Sequence, residues 1–133
     1  MKIGLDTSVV LRLLTGEPEP LATAAVRLVE SSLHGGDTVL VSDLVVSEAY
    51  FALQHHYGLS KAQAVGVLGQ FLRQGGIEAA GSAHAVLGLP NLAVARPGLV
   101  DRLIHAEYLR VADEMLTFEK SAARLPRARV LLA

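Results

Sequence analysis

Residues 1–11 read MKIGLDTSVVL and join a short strand to a helix through a single acid. The isoleucine and leucine that precede the acid favour a brief buried strand. Thr7 or Ser8 can cap a helix, because valines and leucines follow at helical spacing. Asp6 is therefore expected at the carboxyl end of the first strand, where open α/β sheets form their ligand crevice. Since a carboxylate at this place has little structural use beyond capping, Asp6 is the first candidate functional residue.

Outward from this stretch, predicted strands and helices alternate along the chain. Glycine and proline mark many of the boundaries. This alternation predicts an α/β sandwich in which helices cover both faces of a parallel sheet. No repeat or linker interrupts the pattern, so one domain is expected over residues 1–133. The predicted strands cover 3–5, 38–41, 77–79, 114–117 and 129–132, and the predicted helices cover 7–14, about 20–34, 42–57, 60–74, 82–92, 97–111 and 119–125.

The composition predicts a folded protein and excludes several kinds of site. Of the 133 residues, 51% are hydrophobic and 19% are charged, which is typical of a chain that buries one core. The absence of cysteine excludes disulfides, thiolate zinc sites and a cysteine nucleophile, and it fits a cytoplasmic location. We expect neither a signal peptide nor a membrane span. The net charge of −1 gives no global indication of nucleic-acid binding.

Glu48 is the second candidate residue. On the helix predicted after Ser42, a rotation of about 100° per residue places Leu44 and Phe51 on the same side as Glu48. The opposite side is apolar too, so we expect the helix to be largely buried. A buried, unpaired carboxylate costs on the order of several kcal/mol, and Glu48 would then need a partner, a proton or access to water. The alternative is that Glu48 pairs with an arginine or turns to the surface.

Asp101 and Glu119 complete the candidate set. Asp101 lies one turn inside the helix predicted from Pro97, on the side that carries Ile104 and Tyr108. Glu119 follows a predicted strand, again at a carboxyl end. Each has a structural alternative, because an acid in a first helical turn stabilises the helix dipole by about 0.3–1 kcal/mol. Two acids at strand ends and two on apolar helix faces together favour a shared site.

Four stretches in this order resemble the PIN domain family, and most closely the VapC toxins of VapBC toxin–antitoxin modules. They are IGLDTSVV at 3–10, VSDLVVSE at 41–48, LVDRLI at 99–104 and ADEMLTFE at 112–119. The resemblance implies a three-layer α/β/α sandwich with a central parallel sheet of about five strands. It also implies a metal-dependent ribonuclease.

In this resemblance Asp6, Glu48 and Asp101 are the principal metal-site acids, and Glu119 takes the fourth position. The family pattern at the fourth position is Thr-x-Asp, whereas this chain ends the pattern with glutamate, so binding of a second metal ion is in question. Oxygen donors without thiolates suit Mg²⁺ or Mn²⁺. The predicted supporting side chains are Thr7, Ser8 and Thr117.

Two residues near these acids leave alternatives open. His105 stands one turn after Asp101, where small residues are common in the family. It can pair with Asp101, narrow the cleft or make an ordinary hydrogen bond. Asp113 is a second acid near the fourth position, but its place before the strand favours a structural role.

The partners are implied by the resemblance alone: an RNA substrate, a VapB-like antitoxin and a second copy of the chain in a homodimer. Several apolar residues are either partner-facing or core, namely Leu11, Leu14, Tyr50, Leu53 and Tyr57. The aromatic residues mostly suit core positions, so no platform for base stacking is expected. A rival interpretation is a PIN-like binding or regulatory module with a weakened metal site and no turnover. A phosphatase of the haloacid-dehalogenase type is disfavoured, because Ser8 stands where that family has a second aspartate.

Overall fold

Helices and strands alternate through residues 1–132, which a computed structural model describes; Ala133, the last residue of the predicted domain, lies outside them. The strands are β1 (Lys2–Gly4), β2 (Thr38–Val41), β3 (Ile77–Ala79), β4 (Met115–Thr117) and β5 (Ala128–Val130). The helices are α1 (Thr7–Thr15), α2 (Glu19–His34), α3 (Asp43–His55), α4 (Lys61–Leu72), α5 (Ala83–Leu87) and α6 (Leu99–Val111). Two 3₁₀ helices cover Leu92–Val94 and Lys120–Arg124. Within these described residues, no helix is long and apolar enough to span a membrane.

Every strand pairing is parallel, which confirms the predicted α/β class. The predicted single sheet is instead divided in two. One sheet has the order β1-β2-β3, and β4 pairs with β5 in the other. Each strand offers only three or four residues for pairing, so the backbone ladders are short. Helices α2, α4, α5 and α6 pack against the strands.

Two serine caps begin helices where the sequence predicts them. Ser42 accepts a hydrogen bond from the backbone N–H of Val45 at 3.2 Å and caps α3. Ser60 and Gln63 form a reciprocal capping box at the start of α4, with hydrogen bonds of 3.1 and 2.9 Å. Both arrangements satisfy backbone N–H groups that have no partner inside the helix.

The hydrophobic core lies between the sheet and the surrounding helices. Its fully buried side chains come from several elements, including Val39 and Val41 of β2, Leu68 of α4 and Leu99 of α6. The sequence leaves five apolar residues as either core or partner-facing, and all five belong to the core. Leu11, Tyr50 and Leu53 are buried, and Leu14 and Tyr57 are half-buried against the buried cluster.

Asp43 connects α3 to the start of α5. Its two carboxylate oxygens accept the backbone N–H groups of Ser82 and Ala83, each at 3.0 Å. Gly81 is required beside it, because a Cβ atom at that position would overlap the Asp43 carboxylate. Asp43 therefore has a structural task that is unrelated to the four candidate acids.

Replacing Asp43 with alanine is expected to lower the free energy of unfolding by about 2–3 kcal/mol, because two hydrogen bonds to a charged acceptor are lost from a half-buried site. Urea denaturation measures the change. Asp113→Ala is the matched control, since Asp113 is exposed and makes no hydrogen bond or ion pair with the residues described. Equal stability of the two variants would contradict the proposed role of Asp43.

Candidate functional site

Asp6 lies between the end of β1 and the start of α1. The ladder between β1 and β2 continues through Leu5, whose N–H donates to the carbonyl of Leu40 at 3.0 Å. The backbone of Asp6 then forms the N-cap of α1. The prediction that Thr7 or Ser8 caps this helix is wrong, because the helix begins one residue earlier and both lie in its first turn. Their hydroxyl groups are consequently free to bind carboxylates.

Both hydroxyl groups bind carboxylates of the candidate set. Thr7 donates to Oε1 of Glu48 at 2.8 Å, and Ser8 donates to Oδ2 of Asp6 at 3.2 Å. The first hydrogen bond joins the start of α1 to the second turn of α3, across 41 positions of sequence. Thr7 and Ser8 thus restrain the side chains of the two acids, and their support of a metal site stays a prediction.

Glu48 is exposed, and the expectation that α3 buries it is wrong. The helix buries the side that carries Val46, Ala49 and Leu53. Glu48 lies on the other side, where Leu44 is 73% exposed and Phe51 is 48% exposed. Both sides of α3 are apolar, but only one of them faces the core. The alternative of a surface position is therefore the one observed.

None of the four acids is neutralised by a basic side chain. From Met1 to Leu132, the ion pairs are those between the N-terminal amine and Asp37 at 3.0 Å and between Arg129 and Glu114 at 2.7 Å. The arginine pairing considered for Glu48 is thus not observed. Unpaired carboxylates on a surface remain available to a cation.

Asp101 and Glu119 both line the same two cavities, and Pro97 is a third residue that the two cavities share. The cavities have volumes of ≈ 480 and ≈ 310 Å³. Asp101 lies in the first turn of α6, and both acids are exposed. Ile104 and Tyr108 lie on the same side of α6 and are 43% and 47% exposed. This side of α6 therefore resembles the side of α3 that carries Glu48, because each is an exposed apolar surface that also carries an acid.

Hydrogen bonds hold Glu119 in place and keep it ionised. Its Oε1 accepts from the backbone N–H and the hydroxyl of Ser121 at 3.2 and 2.9 Å. Ser121 thereby holds the pKa of Glu119 below its usual value, and the nearby charge of Arg96 acts in the same direction. Thr117 accepts the backbone N–H of Glu119 at 2.9 Å, which fixes the strand end.

His105 has an ordinary structural role. It is buried, and its Nε2 lies 2.7 Å from the carbonyl oxygen of Pro126. A carbonyl can only accept, so Nε2 carries the proton in this arrangement. Neither pairing with Asp101 nor narrowing of the cleft is observed.

The structure brings the candidate acids together in pairs. Thr7 and Ser8 support Asp6 and Glu48, and shared cavity walls bring Asp101 to Glu119. Among residues 1–132, no three acids or histidines lie close enough to hold one metal ion together. Lys61 and Arg96 line the larger of the two cavities beside Asp101 and Glu119. Arg96 is one of several arginines dispersed through the sequence that are candidates for substrate contact, whereas no sequence feature singles out Lys61. Neither residue belongs to a motif, so only the fold identifies them.

The family of the chain follows from its sequence as a whole. The sequence model of the PIN domain matches residues 3–130. Comparison with curated proteins and with solved structures gave no match. The matched region includes all four candidate acids, the strands β2 to β5 and all of β1 except its first residue, Lys2. PIN domains are generally nucleases, which hydrolyse phosphodiester bonds, and this chain belongs to the PIN domain family.

Proposed function

We propose that this protein is a metal-dependent endoribonuclease that hydrolyses RNA phosphodiester bonds at the site built from Asp6, Glu48, Asp101 and Glu119. The observation that supports it most is the hydrogen bond from Thr7 to Glu48, which connects the helices that begin at the ends of β1 and β2. The resemblance assigns the acid that ends β1 and the acid on α3 to the metal site, and the carboxyl ends of parallel strands meet at this edge of the sheet.

The donor set fits Mg²⁺ or Mn²⁺. All four candidate groups are carboxylates, all four are exposed, and hard cations prefer oxygen ligands. Mg²⁺ keeps several waters and is commonly held by one or two carboxylates together with a substrate phosphate. Two pairs of acids are therefore compatible with metal binding, although no three converge among the described residues. The resemblance assigns all four acids, Asp6, Glu48, Asp101 and Glu119, to the metal site. As their side chains lie here, at most two of them would contact one ion directly, and the others would act through its bound waters.

Each side chain has a distinct task in this mechanism. A bound divalent cation lowers the pKa of a water molecule and stabilises negative charge on phosphate oxygens. Thr7 and Ser8 fix the orientations of Glu48 and Asp6, so that their free oxygens point in defined directions. Ser121 occupies Oε1 of Glu119 and, in the described part of the chain, leaves Oε2 without a hydrogen bond.

Metal removal tests the proposal. Purified protein treated with EDTA is expected to lose cleavage of a single-stranded RNA by at least about 100-fold, because the cation supplies several kcal/mol of transition-state stabilisation. Adding Mg²⁺ or Mn²⁺ in excess of the chelator should restore the rate, while Ca²⁺ serves as the comparison ion. Cleavage that persists unchanged in EDTA would contradict a metal-dependent mechanism.

Thr7→Val removes the hydroxyl that orients Glu48 while keeping the shape of the side chain. Loss of such a supporting contact typically costs about 10- to 100-fold, and we expect this decrease in the RNA cleavage rate. Thr7→Ser retains the hydroxyl and should stay close to the wild type. Wild-type activity in Thr7→Val would show that the hydrogen bond has no part in catalysis.

The proposal extends to the biological setting of a VapC-like toxin. In that setting the protein acts on cellular RNA in the cytoplasm, forms a homodimer and is inhibited by a VapB-like antitoxin. Exposed apolar side chains lie on the same elements as the acids or beside them, and such surfaces commonly bind partners. These side chains are on α3, α6 and β4, namely Leu44, Phe51, Ile104, Tyr108 and Leu116. Light scattering tests the dimer, and growth arrest on expression alone, relieved by an adjacent small protein, tests the toxin.

A second candidate function is a binding module without turnover. The lack of three converging acids among residues 1–132 favours it, as does glutamate at the fourth position of the family pattern. Calorimetry with Mn²⁺ distinguishes the two functions. Binding at millimolar metal that is lost in Asp6→Asn supports the nuclease, whereas no heat of binding supports the module.

A further inference from the structure

The cavity of ≈ 480 Å³ is lined by the acids Asp101 and Glu119 and also by aromatic and basic side chains. Phe51 and His55 of α3 line it together with two basic residues, Lys61 and Arg96. The same concave surface therefore carries carboxylates, aromatic rings and cations.

The two rings lie nearly parallel and are stacked on each other. Phe51 and His55 are one helical turn apart on α3, and their ring centroids lie 6.2 Å apart with an interplanar angle of 18°. Phe51 is 48% exposed, and His55 is exposed as well. Phe51 is an exception to the expectation that the aromatic residues mostly suit core positions, because its side of α3 faces solvent. An aromatic side chain that is about half exposed can stack against a nucleic-acid base.

The two cations are placed to bind phosphate. Lys61 is the first residue of α4, and Arg96 directly precedes the segment that leads into α6. Both are exposed, and neither forms an ion pair with any residue from 1 to 132. Arginine binds phosphate oxygens in bidentate fashion, and lysine binds them as a point charge. The attraction of Arg96 for the Glu119 carboxylate is consistent with its position beside the acids.

We infer that this cavity is the subsite for one unpaired nucleotide of the RNA, with its base stacked on Phe51 and its flanking phosphates bound by Lys61 and Arg96. The inference rests on the proposed function for the identity of the substrate as RNA. An unpaired base has a free face for stacking, whereas a base inside a duplex is already covered on both faces. The subsite therefore selects single-stranded RNA and places the next phosphodiester bond beside Asp101 and Glu119.

Binding measured without cleavage tests the subsite. Fluorescence anisotropy with a labelled single-stranded RNA of about ten nucleotides is recorded for Asp6→Asn as the parent, in Mg²⁺. Adding Phe51→Ala is expected to raise Kd by about tenfold, within the range of about 5- to 150-fold for one stacking ring. Phe51→Leu should behave like Phe51→Ala, and Phe51→Tyr like the parent. Arg96→Ala is expected to weaken binding and to reduce the salt dependence by about one phosphate contact.

The controls are Leu28→Ala and Arg27→Ala on α2, whose side chains are exposed and do not line the cavity. They should bind RNA as the parent does, and a duplex of the same sequence should bind at least about tenfold more weakly. Circular dichroism checks that each variant is folded. Unchanged binding in both Phe51→Ala and Arg96→Ala would overturn the subsite. So would equal affinity for the duplex, or no rise in anisotropy for the parent when the protein is raised to about 100 µM, a concentration that detects Kd values of up to about 100 µM.

The subsite and the nuclease can fail separately. If the wild-type protein cleaves the RNA while binding does not depend on Phe51 or Arg96, the subsite is wrong and the nuclease remains. If binding depends on both residues but the wild-type protein does not cleave in Mg²⁺ or Mn²⁺, the subsite remains and the nuclease is wrong.

Discussion

Replacing Asp6 with asparagine is expected to reduce the rate of RNA cleavage by about 100-fold or more. The substitution keeps the shape of the side chain but removes the negative charge that would bind the cation. A loss of about 2.7 kcal/mol of transition-state stabilisation corresponds to this factor, and a catalytic metal ion supplies several kcal/mol. The backbone N-cap of α1 is unaffected, because the Asp6 side chain does not cap the helix. Initial rates with a labelled RNA in Mg²⁺ and in Mn²⁺ measure the effect.

Asp113→Asn is the matched control, since it makes the same chemical change at an exposed acid outside the candidate set. It should cleave at the wild-type rate. A thermal melt shows whether either variant has lost its fold. If Asp6→Asn remains folded and as active as Asp113→Asn, the carboxylate at the end of β1 has no part in the reaction.

Leu53→Ala is expected to lower the free energy of unfolding by about 2–5 kcal/mol. Leu53 is 1% exposed and belongs to α3, which packs against α1, α4 and α6. The space left by the missing methyl groups is enclosed by several helices and cannot collapse fully, so a cavity cost adds to the lost transfer free energy. Chemical denaturation in urea measures the change.

Leu44→Ala is the control for Leu53→Ala, because it makes the same substitution on the same helix. Leu44 is 73% exposed, and its replacement should change stability by less than about 0.5 kcal/mol. Comparable losses in the two variants would show that both sides of α3 are covered in solution. That result would indicate that a partner or a second copy of the chain covers the Leu44 side of α3, while the core covers the Leu53 side.

The element order and the caps could be predicted from sequence because their determinants are local. Ser60 and Gln63 stand three residues apart before an apolar run, which is the pattern of a capping box, and the structure contains it. The cap residue of α1 is not the one expected, because Asp6, Thr7 and Ser8 are all good cap residues and the sequence does not rank them.

Neither the exposure of Glu48 nor the set of residues that line the ≈ 480 Å³ cavity could be predicted from sequence. Both sides of α3 are apolar, and only tertiary packing decides which one faces the core. Phe51, Lys61 and Arg96 come from separate parts of the chain and meet because α3, α4 and the start of α6 pack together. Long-range contacts of this kind leave no local pattern.

The most direct test of the central claim is anomalous diffraction from crystals of the protein soaked in millimolar Mn²⁺. We predict a peak at coordination distance from the Asp6 carboxylate, roughly 2.0–2.2 Å for a small divalent cation, with Glu48 or Asp101 as a further ligand. The peak should be absent from Asp6→Asn crystals soaked in the same way. A map with no peak at Asp6, or with Mn²⁺ bound only to other residues, would contradict a metal site at the end of β1.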